Sequence, residues 1–298
     1  MATTNGIYSR ALRMPVFHQD NIKDTQMKNI DRGRRIDIHP ATFSLSVEIP
    51  PVAGEPYRIL NITVTVTRDP DFADCWIINH FYRTDRHGSI VDVNKDVAFM
   101  DCEQTGNAGN NYTTEPATLQ IGVPGDDETR NDHFEVLIVQ LCQIDTIGST
   151  LVRFMQDHRI SKCWHGFYED MNMLDRIGIH PHSSFQINAL VYVYLEIIGE
   201  EHTHVALPRF GDLMYEYLGV DTDTAQYARR YWADLMIHPW KARYGAHDVY
   251  LPWKLYQNLV LRIKGEIEEE EDAESVIRKA VARRMVELEL GGSDAVLS

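Results

Sequence analysis

The sequence predicts an α/β protein, a mixed sheet flanked by helices with a β-rich segment at its N-terminal side. Three patterns in the 298 residues carry that expectation. Residues 42–95 alternate apolar and polar side chains as half-buried strands do. From Asp96 short apolar runs alternate with helical stretches, and after Asp170 the period is almost wholly helical. Strands first and helices after describe helices packed on a mixed sheet. The chain divides accordingly into a polar arm (1–40), the β-rich segment (41–95), an α/β domain (96–263), and an acidic linker with a C-terminal helix (264–298).

The arm carries DRGRR at Asp31–Arg35 without a clear period, so an extended, solvated stretch is expected there. Phe43–Ile49 alternates as a strand until Pro50-Pro51 stops it, and Ile59–Thr67 alternates again. Trp76–Tyr82 is a further candidate strand, followed by a turn at Arg86-His87-Gly88. This segment is either a small β-domain or an extension of the sheet that follows. Val97–Met100, Ala117–Val123 and Glu135–Leu141 are short apolar strands, the last β-branched enough for a buried position. A helix is expected over Gly148–His158 and a strand over Lys162–Trp164. Helices are then expected over Met171–Ile177, Ser184–Ile198, Leu207–Leu218, Thr224–Leu235, Ala242–Ile263 and Ala273–Leu290.

Composition is that of an ordinary globular chain, 44% hydrophobic and 24% charged. No run of 18 apolar residues suits a membrane span, and the N-terminus lacks the apolar stretch of a signal peptide. Cys75, Cys102, Cys142 and Cys163 show no CxxC or zinc-finger spacing and read as reduced thiols. An intracellular setting, cytoplasm or nucleus, is therefore expected. The net charge of −15 argues against coating nucleic acid through a broad basic face, although part of the excess sits in the run Glu266–Asp272. The arm and the C-terminal helix are the places where protein partners are expected.

Three carboxylate sites stand out. Asp101-Cys102-Glu103 closes an apolar strand, and alternate residues of an extended chain point the same way, so both carboxylates face one side. Two such oxygens suit a hard divalent cation. Asp170 follows Lys162-Cys-Trp-His-Gly-Phe-Tyr-Glu in the first turn of a helix, where acidic residues are also ordinary partners of free amides. Tyr244 and Asp248, at i and i+4, share one helix face, as a half-buried Tyr and a surface Asp commonly do. Each site alone is unremarked chemistry; their order and settings distinguish them.

As a set they resemble the DEDD exonuclease superfamily, in the branch with Tyr in its third motif, whose members include ribonuclease D and the exosome-associated nuclease of eukaryotes. The first motif matches Phe99-Met-Asp101-Cys-Glu103-Gln-Thr105, and the following Leu-Ile-Gln strand resembles Ala117–Ile121. The second matches Lys162–Asp170 with His165, and the third Tyr244, Asp248 and Tyr250-Leu251. Trp232 and Ile237-His-Pro239 resemble the W-x-x-R-P-L element, and Leu207–Gly219 its Y-L-G helix. The resemblance covers about residues 95–262. It departs from the family in the polar stretch 106–114, in His238 standing where the arginine is usual, and in β-like sequence ahead of the first motif.

The resemblance implies a ribonuclease H-like fold and a 3′–5′ exonuclease that releases nucleoside 5′-monophosphates from the 3′ end of RNA, with single-stranded DNA as the other candidate. It implies two cations, Mg²⁺ or Mn²⁺: Asp101 bridging them, Glu103 and Asp248 on the one that activates water, Asp170 on the second. Tyr244, with an ordinary pKa near 10, orients the water. Thr105, His165, Phe167 and Tyr168 are the candidate substrate contacts, the aromatics by stacking on bases, though Phe167 and Tyr168 serve equally well as core fillers and His165 as a packing residue. The alternative is an inactive scaffold of the same fold that binds RNA or protein. His247 and the pairs His180/His182 and His202/His204 are assigned no role.

Overall fold

The computed structural model describes residues 40–49, 58–105, 115–125, 133–200, 209–220, 222, 232–233, 237, 239–267 and 273–294. The polar arm up to residue 39, the stretch 106–114, the pair His202/His204 and nearly all of the expected helix Thr224–Leu235 lie outside the described residues. In chain order the strands are β1 (Ala41–Ile49), β2 (Arg58–Thr67), β3 (Tyr82–Thr84), β4 (Ile90–Val93), β5 (Val97–Gln104), β6 (Pro116–Pro124), β7 (His133–Val139), β8 (Ser161–Trp164) and β9 (Ser184–Gln186). The helices are α1 (Pro70–Phe81), α2 (Ser149–Gln156), α3 (Phe167–Arg176), α4 (Ile187–Ile197), α5 (Phe210–Leu218), α6 (Pro239–Glu266) and α7 (Ala273–Asp294).

Seven strands form one mixed sheet in the order β1-β2-β7-β6-β5-β8-β9. β1–β2, β7–β6 and β6–β5 are antiparallel; β2–β7, β5–β8 and β8–β9 are parallel. β1 and β2 therefore extend the main sheet, with β2 in register with β7 from Asn61↔His133 to Thr67↔Val139, while β3 and β4 pair antiparallel in a separate two-stranded sheet.

Two local expectations are corrected. Of the expected strand Trp76–Tyr82, Trp76–Phe81 is helical and only Tyr82 is extended, as the first residue of β3. Asp69 caps α1 by accepting from the amides of Asp71 and Phe72, and Pro70 sits at the first helical position. A cap of this kind contributes about 1 kcal/mol and outweighs the β-preference of Trp76-Ile77-Ile78. The buried residues Ala73, Trp76, Ile77 and Phe81 then fall at helical spacing. Ser184–Gln186 is likewise not the start of α4 but strand β9, paired Lys162↔Ser184 to Trp164↔Gln186. Ser183, at φ +53°, breaks the chain direction just before it.

The sheet separates two apolar layers. On one face Val64, Phe99, Phe134 and Ile138 meet Leu190, Val249 and Leu259 from α4 and α6, and Ile277 and Met285 from α7. On the other, Met100, Leu119, Ile121 and Leu137 meet Trp76 and Phe81 of α1, Phe154 of α2 and Leu174 of α3. Each fully buried aliphatic or aromatic side chain contributes about 1.5–3 kcal/mol, so these layers hold the sheet's end groups in place. Arg278 to Asp96 and Arg283 to Glu196, each 2.7 Å, tie α7 to the domain. All four cysteines are free, with Cys102 and Cys163 buried and Cys75 exposed. Among the described residues no helix is long and apolar enough to cross a membrane.

Candidate active site

The first acids come from β5. β8 ends with Trp164 opposite Met100, so Asp101 is the first residue past the end of that pairing. Across the other edge Asp101 faces Gln120 and Glu103 faces Thr118. The pleat sends Cys102 into the opposite apolar layer and leaves Asp101 and Glu103 on the face covered by α6.

Asp170 arrives through the turn after β8. Gly166 adopts φ +85°, a left-handed conformation that costs a residue with a Cβ about 1 kcal/mol or more, and so turns the chain sharply into α3. Met173 and Leu174 anchor α3 in the apolar layer, which holds Asp170, in its first turn, buried beside Asp101.

Tyr244 and Asp248 come from α6. Their i, i+4 spacing lets the Tyr244 hydroxyl donate to the Asp248 carboxylate. Gly245 governs how closely this helix seats: a β-carbon there would lie 3.1 Å from Gln120 Cγ and 3.3 Å from Ile138 Cδ1. The bare position lets α6 settle onto β6 and β7, bringing Tyr244 and Asp248 to the level of the β5 acids. Pro252, four residues beyond Asp248, has no amide to give to the Asp248 carbonyl, which weakens the helix at the site itself.

One carboxylate oxygen each from Asp101, Glu103 and Asp248 lie within 4.8 Å of one another. Such crowding in a buried place disfavours ionisation. Burial pushes Asp101 up to about 7. Burial, then Asp101 and Asp248, push Glu103 up to about 11, with Lys241 opposing. Asp170 and Asp248 are raised well above the usual carboxylate range, by burial first and by Asp101 next. Oδ2 of Asp170 and Oδ2 of Asp248 are buried without a hydrogen-bond partner among the described residues. An unmet buried oxygen costs about 1–3 kcal/mol, and two in one cluster call for something to meet them. Hard oxygen donors in this number suit a hard divalent cation.

The remaining sequence-named residues are placed as follows. Burial, then Asp248 and Glu103, raise the Tyr244 hydroxyl well above its ordinary value near 10, and it donates to Asp248. His165 packs its ring 4.6 Å from that of Phe210, and burial pushes it down to about 4, so it is neutral. Phe167 packs against both apolar layers, whereas Tyr168, edge-on to it at 5.5 Å, is 44% exposed. Thr105 lies just past β5 with its amide donating to Glu115 O at 2.9 Å. His247 is buried on α6, pushed down to about 3 by burial and then by Arg243. His180 and His182 are exposed.

Two buried polar residues near the acids had not been singled out. Gln120, fully buried, donates to Thr118 Oγ1 at 2.9 Å beside Asp101 and Glu103. Lys241, 3% exposed, stands in the first turn of α6. A signal for Lys241 was available: 241, 244 and 248 share one helix face.

A family model described as 3′–5′ exonuclease matches residues 90–264. The chain belongs to the 3′–5′ exonuclease family. Among solved structures, Trypanosoma brucei RNase D in complex with GMP is similar over 74% of this chain and 63% of that one, at 13% identity and a TM-score of 0.50. Brucella melitensis NrnC matches 66% of this chain and 86% of its own at 21% identity, with a TM-score of 0.43. Escherichia coli RNase D, described as an exoribonuclease involved in structured RNA processing, matches 64% of this chain and 45% of its own at 20% identity, with a TM-score of 0.43. No curated protein sequence matches the chain. The family makes this a hydrolytic 3′–5′ exonuclease and the fold is ribonuclease H-like, as the motif resemblance implied. The family works with divalent metal, and the acidic cluster is of the matching kind.

Proposed function

We propose that the protein removes nucleoside 5′-monophosphates from the 3′ end of single-stranded RNA, with two Mg²⁺ or Mn²⁺ ions held by Asp101, Glu103, Asp170 and Asp248. The observation that carries this is the convergence of three carboxylates within 4.8 Å, joined by Asp170, with two buried oxygens left unmet. Bound cations supply a hydroxide nucleophile and stabilise the departing 3′ oxyanion. Water oxygen forms the new bond to phosphorus, the bond to the 3′ oxygen breaks, and that oxygen takes up the proton.

The chain's own residues do the rest. Asp101, Glu103 and Asp248 would hold the ion that activates water, and Asp170 would support a second. Tyr244, a firm donor, orients water by hydrogen bond. Tyr168 offers an exposed ring for the terminal base, and Thr105 and His165 are read as further substrate contacts on the motif resemblance. Support for RNA comes from the motif resemblance to ribonuclease D and from GMP, a ribonucleoside 5′-monophosphate, bound to the T. brucei RNase D of like fold. The catalytic unit is read as residues 96–263, with β1 and β2 as an edge extension, working in the cytoplasm or nucleus.

The test gives purified protein 5′-labelled single-stranded RNA and DNA with Mn²⁺, beside an Asp101→Ala/Glu103→Ala control. A ladder shortening from the 3′ end in the wild type alone, faster on RNA, is expected. Binding without shortening under either metal would sink the proposal in favour of a scaffold.

A further inference from the structure

We infer that Gln120 is a positioning residue for the cation held by Asp101 and Glu103, its Oε1 accepting a hydrogen bond from a water that this cation carries. The inference rests on the proposed function for the presence of the cation, and on the packing of β6 for the residue.

Gln120 is the residue of β6 that pairs with Asp101 of β5, and Thr118, two residues back, pairs with Glu103. Paired residues of a ladder share one face, with β-carbons about 4.5–5.5 Å apart, so both β6 side chains lie beside the two acids. Both are completely buried. Gln120 Nε2 donates to Thr118 Oγ1 at 2.9 Å, which lays the carboxamide along β6, level with Asp101 and Glu103. One half of the amide is thereby met. The other is not: Gln120 Oε1 is buried without a hydrogen-bond partner among the described residues.

α6 closes the remaining side. A β-carbon on Gly245 would stand 3.1 Å from Gln120 Cγ and 3.3 Å from Nε2, so the carboxamide is clamped between sheet and helix. Tyr244 and Asp248 flank that contact on the same helix.

A buried carbonyl without a donor is costly, and glutamine is an unusual choice to fill such a place. The neighbouring carboxylates accept hydrogen bonds when charged and offer it none. Gln120 Oε1 is therefore orphaned as Asp170 Oδ2 and Asp248 Oδ2 are, beside the same acids. The carboxylates suit direct ligation of a hard cation, whereas a neutral carbonyl on the adjoining strand suits the water around it. Mg²⁺ keeps several waters when bound, and each has protons to give. Groups that hold a metal's ligands from behind tune its affinity by about 10–100-fold.

The test compares wild type, Gln120→Met and Thr118→Val as full-length proteins, titrated calorimetrically with Mn²⁺ in the absence of nucleic acid. Gln120→Met keeps the length that packs against Gly245 and removes the acceptor. It is expected to bind Mn²⁺ about 10–100-fold more weakly than wild type, while its metal-free thermal midpoint holds. Thr118→Val keeps the carboxamide, removes what turns it, and is expected to lose affinity several-fold. In single turnover on labelled RNA, Gln120→Met needs correspondingly more Mn²⁺ for half its maximal rate and recovers most of the wild-type rate at saturation. The inference is overturned if wild type takes up no Mn²⁺, or if Gln120→Met binds it within about twofold of wild type. A rate deficit that saturating Mn²⁺ does not relieve also overturns it, since that marks a packing role. If Gln120→Met does not fold, Thr118→Val decides: a several-fold loss of Mn²⁺ affinity supports the inference, and an unchanged affinity counts against it. A wild type that shortens no nucleic acid but binds Mn²⁺ in a Gln120-dependent way refutes the activity and leaves this inference standing. Shortening with an indifferent Gln120→Met does the reverse.

Discussion

Asp157 and Asp170 flank the same four-residue strand, β8, yet the fold treats them oppositely. Asp157, at the end where β8 begins, accepts from the Tyr82 hydroxyl at 3.2 Å and from Arg159 Nε and Nη2 at 3.0 and 2.7 Å. The Arg159 hydrogen bonds hold its carboxyl down to about 2. Nearby, Lys162 Nζ donates to the Asp157 carbonyl at 2.6 Å and lies over the Phe154 ring. Asp170, past the other end, has a buried oxygen without a partner and a carboxyl raised well above its usual range. At the first end the Asp157 carboxylate is met by Arg159 and Tyr82, which stabilises its charged form. At the second, like charges are packed together and left unmet, which costs stability and makes a place for cations. Buried charge is thus a structural device at one pole of the sheet and a binding device at the other.

Four experiments break or sharpen that contrast. The largest effect is expected from Asp101→Ala/Glu103→Ala. Hydrolysis of labelled RNA falls at least ~10³-fold, about 4 kcal/mol of barrier, while the thermal midpoint holds or rises because repelling acids are gone. A fall in midpoint as large as that of an Asp157 variant would erase the distinction between the two poles.

Next, Mn²⁺ at about 100 times its dissociation constant stabilises the wild type by about 2.7 kcal/mol, since it binds the folded state alone. Calorimetric melts should show this gain lost in the double variant and kept in Asp157→Asn. Third, Asp157→Asn lowers stability by about 1–2 kcal/mol in urea unfolding, because the Tyr82 and Arg159 contacts are partly solvated. Hydrolysis per folded molecule stays within about twofold.

The smallest effect concerns pH. Burial pushes Lys162 down to about 8 from an ordinary 10.5. Below pH 8 both states hold the proton and the fold bears the buried charge. Between pH 8 and 10.5 the unfolded chain binds more protons, so stability rises with pH, and above 10.5 the gain is complete. Wild type minus Lys162→Met should show a rise of about 1 kcal/mol across that window. A flat difference would show that solvent reaches the ammonium.

Much of this was legible locally. Asp101 and Glu103 needed only the two-residue period of a strand to be placed side by side, and Tyr244 and Asp248 only the turn of a helix. The strands β5 to β8 announced themselves by short apolar runs. What failed locally failed for stated reasons. Asp69 and Pro70 imposed α1 on a β-branched stretch, and pairing with β8 drew Ser184–Gln186 out of a helical pattern.

The sequence by itself therefore determined the α/β class, the order of the motifs and which acids share a face, because those depend on residue type and spacing along one element. Tertiary structure decided the rest. It joined β1 and β2 to the main sheet through β7, brought acids from β5, α3 and α6 within reach, and raised the Tyr244 hydroxyl above its ordinary range by burial. Distances between elements and the desolvation of what lies between them are set by how layers pack, as at Gly245 on Gln120, and no single segment carries that information.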